Sequence, residues 1–296
     1  MMLYNQLKDT TKKERQNSFN LKRILVFLFV IMVGIVNIFP IYWMLLSAFK
    51  TPAEVIQWPP TFFPKVFTVV AFKEVLTHFT IDRWFLNSVF ISTSVTLIVL
   101  FVASLAAFSF AYHRFPGQKI LFLYILSSLM VPMHIRMIPS FILIKQLGWL
   151  ESYQGLIIPQ AAALCGLGIF LLRQFYVGIP KDLIDAARID GCKEFQIYIY
   201  IGLPILKPAL IALGIFVFIR SWNNFIWPLL VVQKECMKTL PLGLVAMSEG
   251  KGQEVTSLTW PQRMAGATLV TLPILLLYTL FRNLFIKGIT LTGLKG

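Results

Sequence analysis

Residues 180–195 read Pro-Lys-Asp-Leu-Ile-Asp-Ala-Ala-Arg-Ile-Asp-Gly-Cys-Lys-Glu-Phe, a charged run set in a strongly apolar chain. Its pattern has helical logic: Pro180 suits a first turn, Asp182 sits well at the positive end of a helix dipole, and Gly191 is a natural stop. Leu183, Ala186, Ala187 and Asp190 recur at three- and four-residue spacing and so share one face, on which the two alanines let another surface approach closely. After Gly191 come Phe195, Ile197, Tyr198, Ile201 and Leu203, closed by Pro204. The spacing predicts two short helices hinged at a glycine. Two readings fit such a hairpin: a docking element for another protein, or a pair of helices lying on a membrane surface with no partner.

Two further constellations suit ligand contact. Arg220, Trp222, Asn223 and Asn224 form a polar and aromatic cluster, in which an indole face could stack on a sugar ring while amides bond its hydroxyls. His134 and Arg136 form a second, cationic pair. Each has a plain alternative: Arg220 and the asparagines could bond only neighbouring helices or a partner chain, and Arg136 could simply snorkel to an interface. Two cations side by side suit an anionic ligand, whereas the indole and the amides suit a neutral, hydroxylated one. Three cysteines and three histidines are too scattered for a disulfide framework or a zinc site, and nothing implies a cofactor. Membrane enzymes need His and carboxylates converging at one face, and ion-coupled transporters need acids inside the spans; neither pattern is visible.

The elements that must position these residues are membrane helices. Of 296 residues 57% are hydrophobic and 14% charged, with 26 Phe and a mean hydropathy of +0.74, which excludes an ordinary soluble domain. The net charge of +14 comes with too little total charge for a nucleic-acid binder and reads as membrane orientation. About 20 apolar residues cross a bilayer core, and six stretches qualify: 24–46, 87–112, 120–144, 153–172, 210–232 and 265–286. The first is too long for a signal peptide. The third is irregular, interrupted by Pro132, His134, Arg136 and Pro139. Basic residues gather near span ends on one side, with Lys22, Arg23, Arg114, Lys119, Arg282 and Lys287 among them, so both termini are expected in the cytoplasm. Residues 1–23 then form a polar, mobile tail and 24–296 the membrane domain. An external loop over 47–84 has room for a short amphipathic element near Phe72 to His78, and a second external loop holds Gly243, Gly250 and Gly252.

The run Asp185-Ala-Ala-Arg-Ile-Asp-Gly191, with Phe195 and Leu203-Pro204, resembles the EAA loop of binding-protein-dependent ABC import permeases, with Asp185 replacing Glu and Cys192 replacing Ala. Trp58-Pro-Pro-Thr61, Phe63-Pro64, Asn87-Ser88, Ser221-Trp-Asn-Asn224 and the tail Lys287 to Thr290 with Leu294 to Gly296 resemble the carbohydrate-uptake permeases of maltose and multiple-sugar type. The resemblance implies an all-α integral membrane fold of six transmembrane helices, with a cytoplasmic coupling helix between the fourth and fifth. It further implies a permease subunit that moves a sugar or oligosaccharide inward by alternating access, with neutral sugar the leading cargo and an anionic one, a uronate-bearing oligosaccharide or glycerol phosphate, the alternative. Asp182, Asp185, Ala186, Ala187, Asp190, Gly191 and Phe195 would couple it to a dimer of cytoplasmic ATP-binding subunits. A second homologous permease and an extracytoplasmic solute-binding protein would complete the assembly. The ATP chemistry is expected elsewhere, because the nearest phosphate-loop candidate, Gly250-Lys-Gly252, lacks the preceding glycine and the following hydroxyl.

Overall fold

A computed structural model describes the backbone of residues 2–248 and 258–290 and the side chains of residues 23–247 and 258–280. Gly250, Lys251 and Gly252, the tail from Leu294 to Gly296, and the side chains of Arg282 and Lys287 lie outside the described residues. The chain divides into two compact units, residues 1–73 with 259–268 and residues 74–258 with 269–296.

In the smaller unit, α1 (Met2–Ala48) is a single helix whose apolar part, Arg23–Ala48, is long enough to span a membrane. The polar tail expected to be mobile is therefore helical from Met2. No Gly or Pro precedes Gly34, and its residues include many good helix formers. Beyond α1, the loop is stapled by two charged side chains. Glu54, 7% exposed in the short α2 (Pro52–Val55), accepts from Thr61 Oγ1 and from the Lys65 backbone N–H, both at 2.8 Å. Lys50, also buried, donates to the Thr61 carbonyl and lies 4.6 Å from the Trp43 ring centroid. Phe62 and Phe63 pack edge-on against Trp43 and Tyr42. The amphipathic element expected near residues 72–78 is α3 (Val70–His78).

The larger unit is built on α4 (Ile81–Tyr112), the second span. After it come α5 (Gln118–Met130) and α6 (Met133–Gln146), bent by 104° from one another. The break falls at Val131-Pro132, where proline disfavours helix at the residue before it; Pro139, the other suspected breaker, sits inside α6. The fourth span, α7 (Tyr153–Val177), makes the most extensive helix pair with α4. Hydrocarbon offers no hydrophobic drive between helices, so close backbone approach must serve. Ser88, Ile91, Ser92, Val95, Val99, Ala103 and Ala107 bury one face of α4, and Gly168 of α7 is so close that an added Cβ would stand 2.9 Å from Ala103 Cβ.

Next come α8 (Lys181–Ile189) and α9 (Glu194–Ile197), and here the expected pair of separate helices is corrected. α9 runs through a π turn at Tyr198–Gly202 into α10 (Leu203–Trp222), so Glu194–Trp222 is one fifth span. The wider turn stands directly before Pro204, which has no N–H to give the α ladder. The span ends at Trp222 rather than Val232, and α11 (Ile226–Val231) is a separate turn of helix. α12 (Leu240–Ser248) and α13 (Trp260–Thr290) follow, the latter spanning by its residues Trp260–Leu280. All regular elements among the described residues are helical, and five spans, or six with the bent pair counted as one, are long and apolar enough to cross a bilayer. This is the all-α, multi-span architecture expected from the sequence.

Candidate functional site

The hinge at residue 191 follows from its backbone. Gly191 has φ +82°, a region that side chains with a Cβ rarely enter, and it ends α8 with its N–H bonded to the Arg188 carbonyl. α8 turns two faces to different surroundings. Ile184 and Ala187 are buried inside the larger unit, whereas Leu183, Ile189 and Phe195 stand 44%, 85% and 62% exposed. Ala186, Asp182, Asp185 and Asp190 are also exposed. The face expected to carry both alanines is thus split: Ala186 is on the open side, and Ala187 anchors the helix from behind.

An ion network holds this helix in place. Arg188 pairs with Asp185 at 2.9 Å and with Glu194 at 2.8 Å, and Glu194 reaches His113, beyond the end of α4, at 3.2 Å. The hydrogen bond that Arg188 donates to Glu194, strengthened by the charges of Glu194 and Asp185, raises the Arg188 pKa above its ordinary value against the opposing pull of burial. One step deeper, Tyr198 and the Ser104 hydroxyl are 2.8 Å apart, and the Tyr112 hydroxyl donates to the Tyr176 carbonyl at 2.8 Å. Sequence reading missed His113 and Glu194, because 81 positions of chain separate them and only the fold brings them together. The one signal in the sequence was a histidine in the short loop after span two.

The second constellation is dispersed by the fold. Trp222 is 2% exposed, sits between Phe218 and Phe85 at 5.8 and 6.0 Å, and directs its indole N–H to the Val270 carbonyl at 3.4 Å. Its faces are packed and not free for a sugar. Arg220 is exposed in the last turn of α10, not midway along a span. Asn223 is exposed at the helix end, and the Asn224 side-chain carbonyl accepts from the Trp227 backbone N–H at 3.3 Å. The neighbouring Ser221 donates instead to Gln160 Oε1 at 3.3 Å, a buried polar link between α10 and α7 that sequence reading did not anticipate. His134 is exposed and Arg136 half-buried on α6, and the buried Arg136 Nε finds no hydrogen-bond partner among the described residues.

Asn87 and Ser88 are structural joints. The Asn87 amide donates to the carbonyls of Cys236 and Lys238 at 2.9 Å and accepts from the Tyr153 hydroxyl at 2.8 Å, while Ser88 Oγ accepts from the Leu240 N–H at 2.8 Å. They tie the segment before α12 to α4 and α7.

Known proteins resemble this chain in sequence and in fold. The arabinooligosaccharides transport system permease protein AraQ of Bacillus subtilis is 34% identical over 281 residues, 94% of this chain and 98% of that protein. The sn-glycerol-3-phosphate transport system permease protein UgpE of Brucella abortus is 30% identical over 271 residues, 89% and 94% of the two chains. A crystal structure of a bacterial ABC transporter involved in the import of the acidic polysaccharide alginate matches at a TM-score of 0.77 over 88% of this chain and 96% of that one, at 22% identity. Residues 99–291, from the middle of α4 through the coupling-type loop and beyond, match the family described as binding-protein-dependent transport system inner membrane component. By length, motif and fold together, the chain belongs to that family of ABC transport permeases.

Proposed function

We propose that this chain is the permease subunit through which a sugar or oligosaccharide enters the cytoplasm, moved by alternating access and driven by ATP hydrolysed on partner subunits. In this reading residues 24–296 form the permease domain, the N-terminal residues 1–23 and the C-terminus lie in the cytoplasm, and the membrane is the inner, cell membrane. The open face of α8 docks on a dimer of ATP-binding subunits, a second homologous permease completes the pathway, and an extracytoplasmic solute-binding protein delivers cargo.

The observation that carries the reading is the apolar surface left open beside a glycine hinge: Leu183, Ile189 and Phe195, edged by Asp182, Asp185, Ala186 and Asp190. An exposed apolar patch of this kind beside fixed charges fits a protein partner. The Asp185–Arg188–Glu194–His113 chain links that face to the end of α4, so a push on α8 reaches the second and fifth spans together. The similarity to an oligosaccharide permease over nearly the whole chain supports a sugar cargo. Arg220, Asn223, His134 and Arg136 are its proposed polar contacts, and buried Trp222 and hydrogen-bonded Asn224 shape the wall behind them.

The test is affinity purification of the tagged chain in mild detergent, followed by identification of co-purifying proteins and an ATPase assay. A second permease and an ATP-binding protein are expected, with hydrolysis stimulated by a sugar-loaded binding protein. Recovery of the chain alone, with uptake surviving ATP depletion, would overturn the reading.

A further inference from the structure

Behind the hinge, the end of α4, the start of α5, the last turns of α7 and the first turns of α8 line a half-open cavity of about 620 Å³. Its lining is unbalanced in charge: Arg114, Arg173, Lys181 and Arg188 face one carboxylate, Asp185. That carboxylate is already engaged by Arg188, which is held by Glu194 as well. Arg114, Arg173 and Lys181 are therefore left without an acidic partner among the described residues.

Arg173 is held in position. Its Nε donates to the Phe110 carbonyl at 3.3 Å and its guanidinium lies 4.4 Å from the Phe122 ring centroid, while its terminal nitrogens make no hydrogen bond among the described residues. Gln118, at the rim, spends its amide nitrogen on the Phe110 and His113 carbonyls, so the donors left to face an anion here are the cationic side chains. Three cations facing one concavity repel one another until an anion enters, and a guanidinium fork with a nearby ammonium suits phosphate oxygens. A volume of this size is that of a small-ligand site.

The surroundings select the source of the phosphate. Gln118 opens α5, whose next residues Ile120, Leu121, Leu123 and Tyr124 are all exposed, so an apolar surface begins two residues beyond the cavity lining. A headgroup in the cavity would have its acyl chains beside that surface, the arrangement by which basic pockets between membrane helices hold anionic lipids. We infer that the cavity formed by Arg114, Arg173 and Lys181 binds the phosphate of an anionic phospholipid of the inner leaflet, seated against the coupling helix.

The inference rests on the cytoplasmic placement of α8 proposed above, but its readout needs no transport. The full chain, purified in mild detergent with the subunits that accompany it, is incubated with phosphatidylglycerol or phosphatidylcholine, and retained lipid is counted by native mass spectrometry. Phosphatidylglycerol retention should exceed that of phosphatidylcholine. It should fall about 5-fold in Lys181→Gln and about 30-fold in Arg114→Gln/Lys181→Gln, both exposed positions. Phosphatidylcholine retention and the exposed control Lys207→Gln should not change, and millimolar inorganic phosphate should not displace the lipid. Equal phosphatidylglycerol retention by the double variant would overturn the site. Displacement by inorganic phosphate would overturn the lipid assignment in favour of a free anion. Loss of a co-purifying subunit with lipid retention unchanged would overturn it in favour of a protein contact.

Discussion

The role proposed for Gly191 rests on its backbone and not on any contact. No neighbouring atom lies within 4 Å of where its Cβ would be, so space does not forbid a side chain; the positive φ does. Placing an L side chain there costs about 1–2 kcal/mol, and β-branching adds crowding. Gly191→Val should insert and assemble normally yet hydrolyse ATP with little transport, as ATPase and uptake assays on the same proteoliposomes would reveal; full coupling would count against a docking role. Glu54 is a residue-scale case with a pH signature. Burial alone would raise its pKa, but the Lys65 N–H, the Thr61 hydroxyl and the charge of Lys50 outweigh burial and set it below the usual 4.5. A carboxyl depressed in the folded state stabilises fully above its unfolded value and loses that contribution as pH falls through the folded one. The loop after α1 should therefore resist proteolysis at neutral pH and loosen progressively below about pH 4.5. Glu54→Gln should be loose at neutral pH and flat across that range.

At the scale of elements, the α4–α7 pair and the α8 tether make opposite demands. Helix pairing in lipid depends on close approach, and at Gly168 there is no slack: its missing Cβ would meet Ala103, Leu213 and Val99 within 3.4 Å. Gly168→Val should destabilise by about 1–3 kcal/mol through overpacking, read as a lower midpoint of thermal unfolding in detergent. The tether of α8 is by contrast half exposed, with side chains of Arg188 and Glu194 35% and 44% accessible. Such a pair contributes about 0–1 kcal/mol, so its purpose is positional. Glu194→Gln should leave the unfolding midpoint nearly unchanged while reducing sugar transported per ATP consumed. The π turn that joins α9 to α10 has the same logic, since it lets one helix run from the hinge to Trp222 despite Pro204 and Pro208.

For the whole molecule, topology and cargo are the open predictions. Cys192 and Cys236 are both free and exposed, one beside the hinge and one in the segment before α12. If the termini and α8 are cytoplasmic, a membrane-impermeant maleimide should label Cys236 in intact cells or spheroplasts and Cys192 only in inverted vesicles; the reverse pattern would invert the topology. Arg220 bears on cargo. Placed exposed in the last turn of α10, it is available to a passing anion without being needed for packing. Arg220→Ala should reduce uptake of an anionic saccharide much more than of a neutral one, and an unchanged profile would leave it a surface residue.

Much of this was legible in the sequence, and the reason is local. Apolar length decides whether a helix can cross a bilayer, so spans one, two, four and six emerged from composition, with ends displaced by up to six residues. Gly191 as the stop of α8 followed from glycine chemistry, and the EAA-like run identified the family. What periodicity could not decide is which side of α8 meets solvent, because both Ala186 and Ala187 satisfy the same spacing; only packing against the larger unit buries one and frees the other. Equally, a tryptophan beside two asparagines reads the same whether it lines a pathway or fills a core, and Trp222 became a core residue through Phe85, more than 130 positions away. His113, Glu194 and Arg188 join for the same reason. Local order in this protein is written along the chain, while charge pairing, exposure and the cavity behind α8 come from residues distant in sequence, which the folded arrangement of helices alone brings into reach.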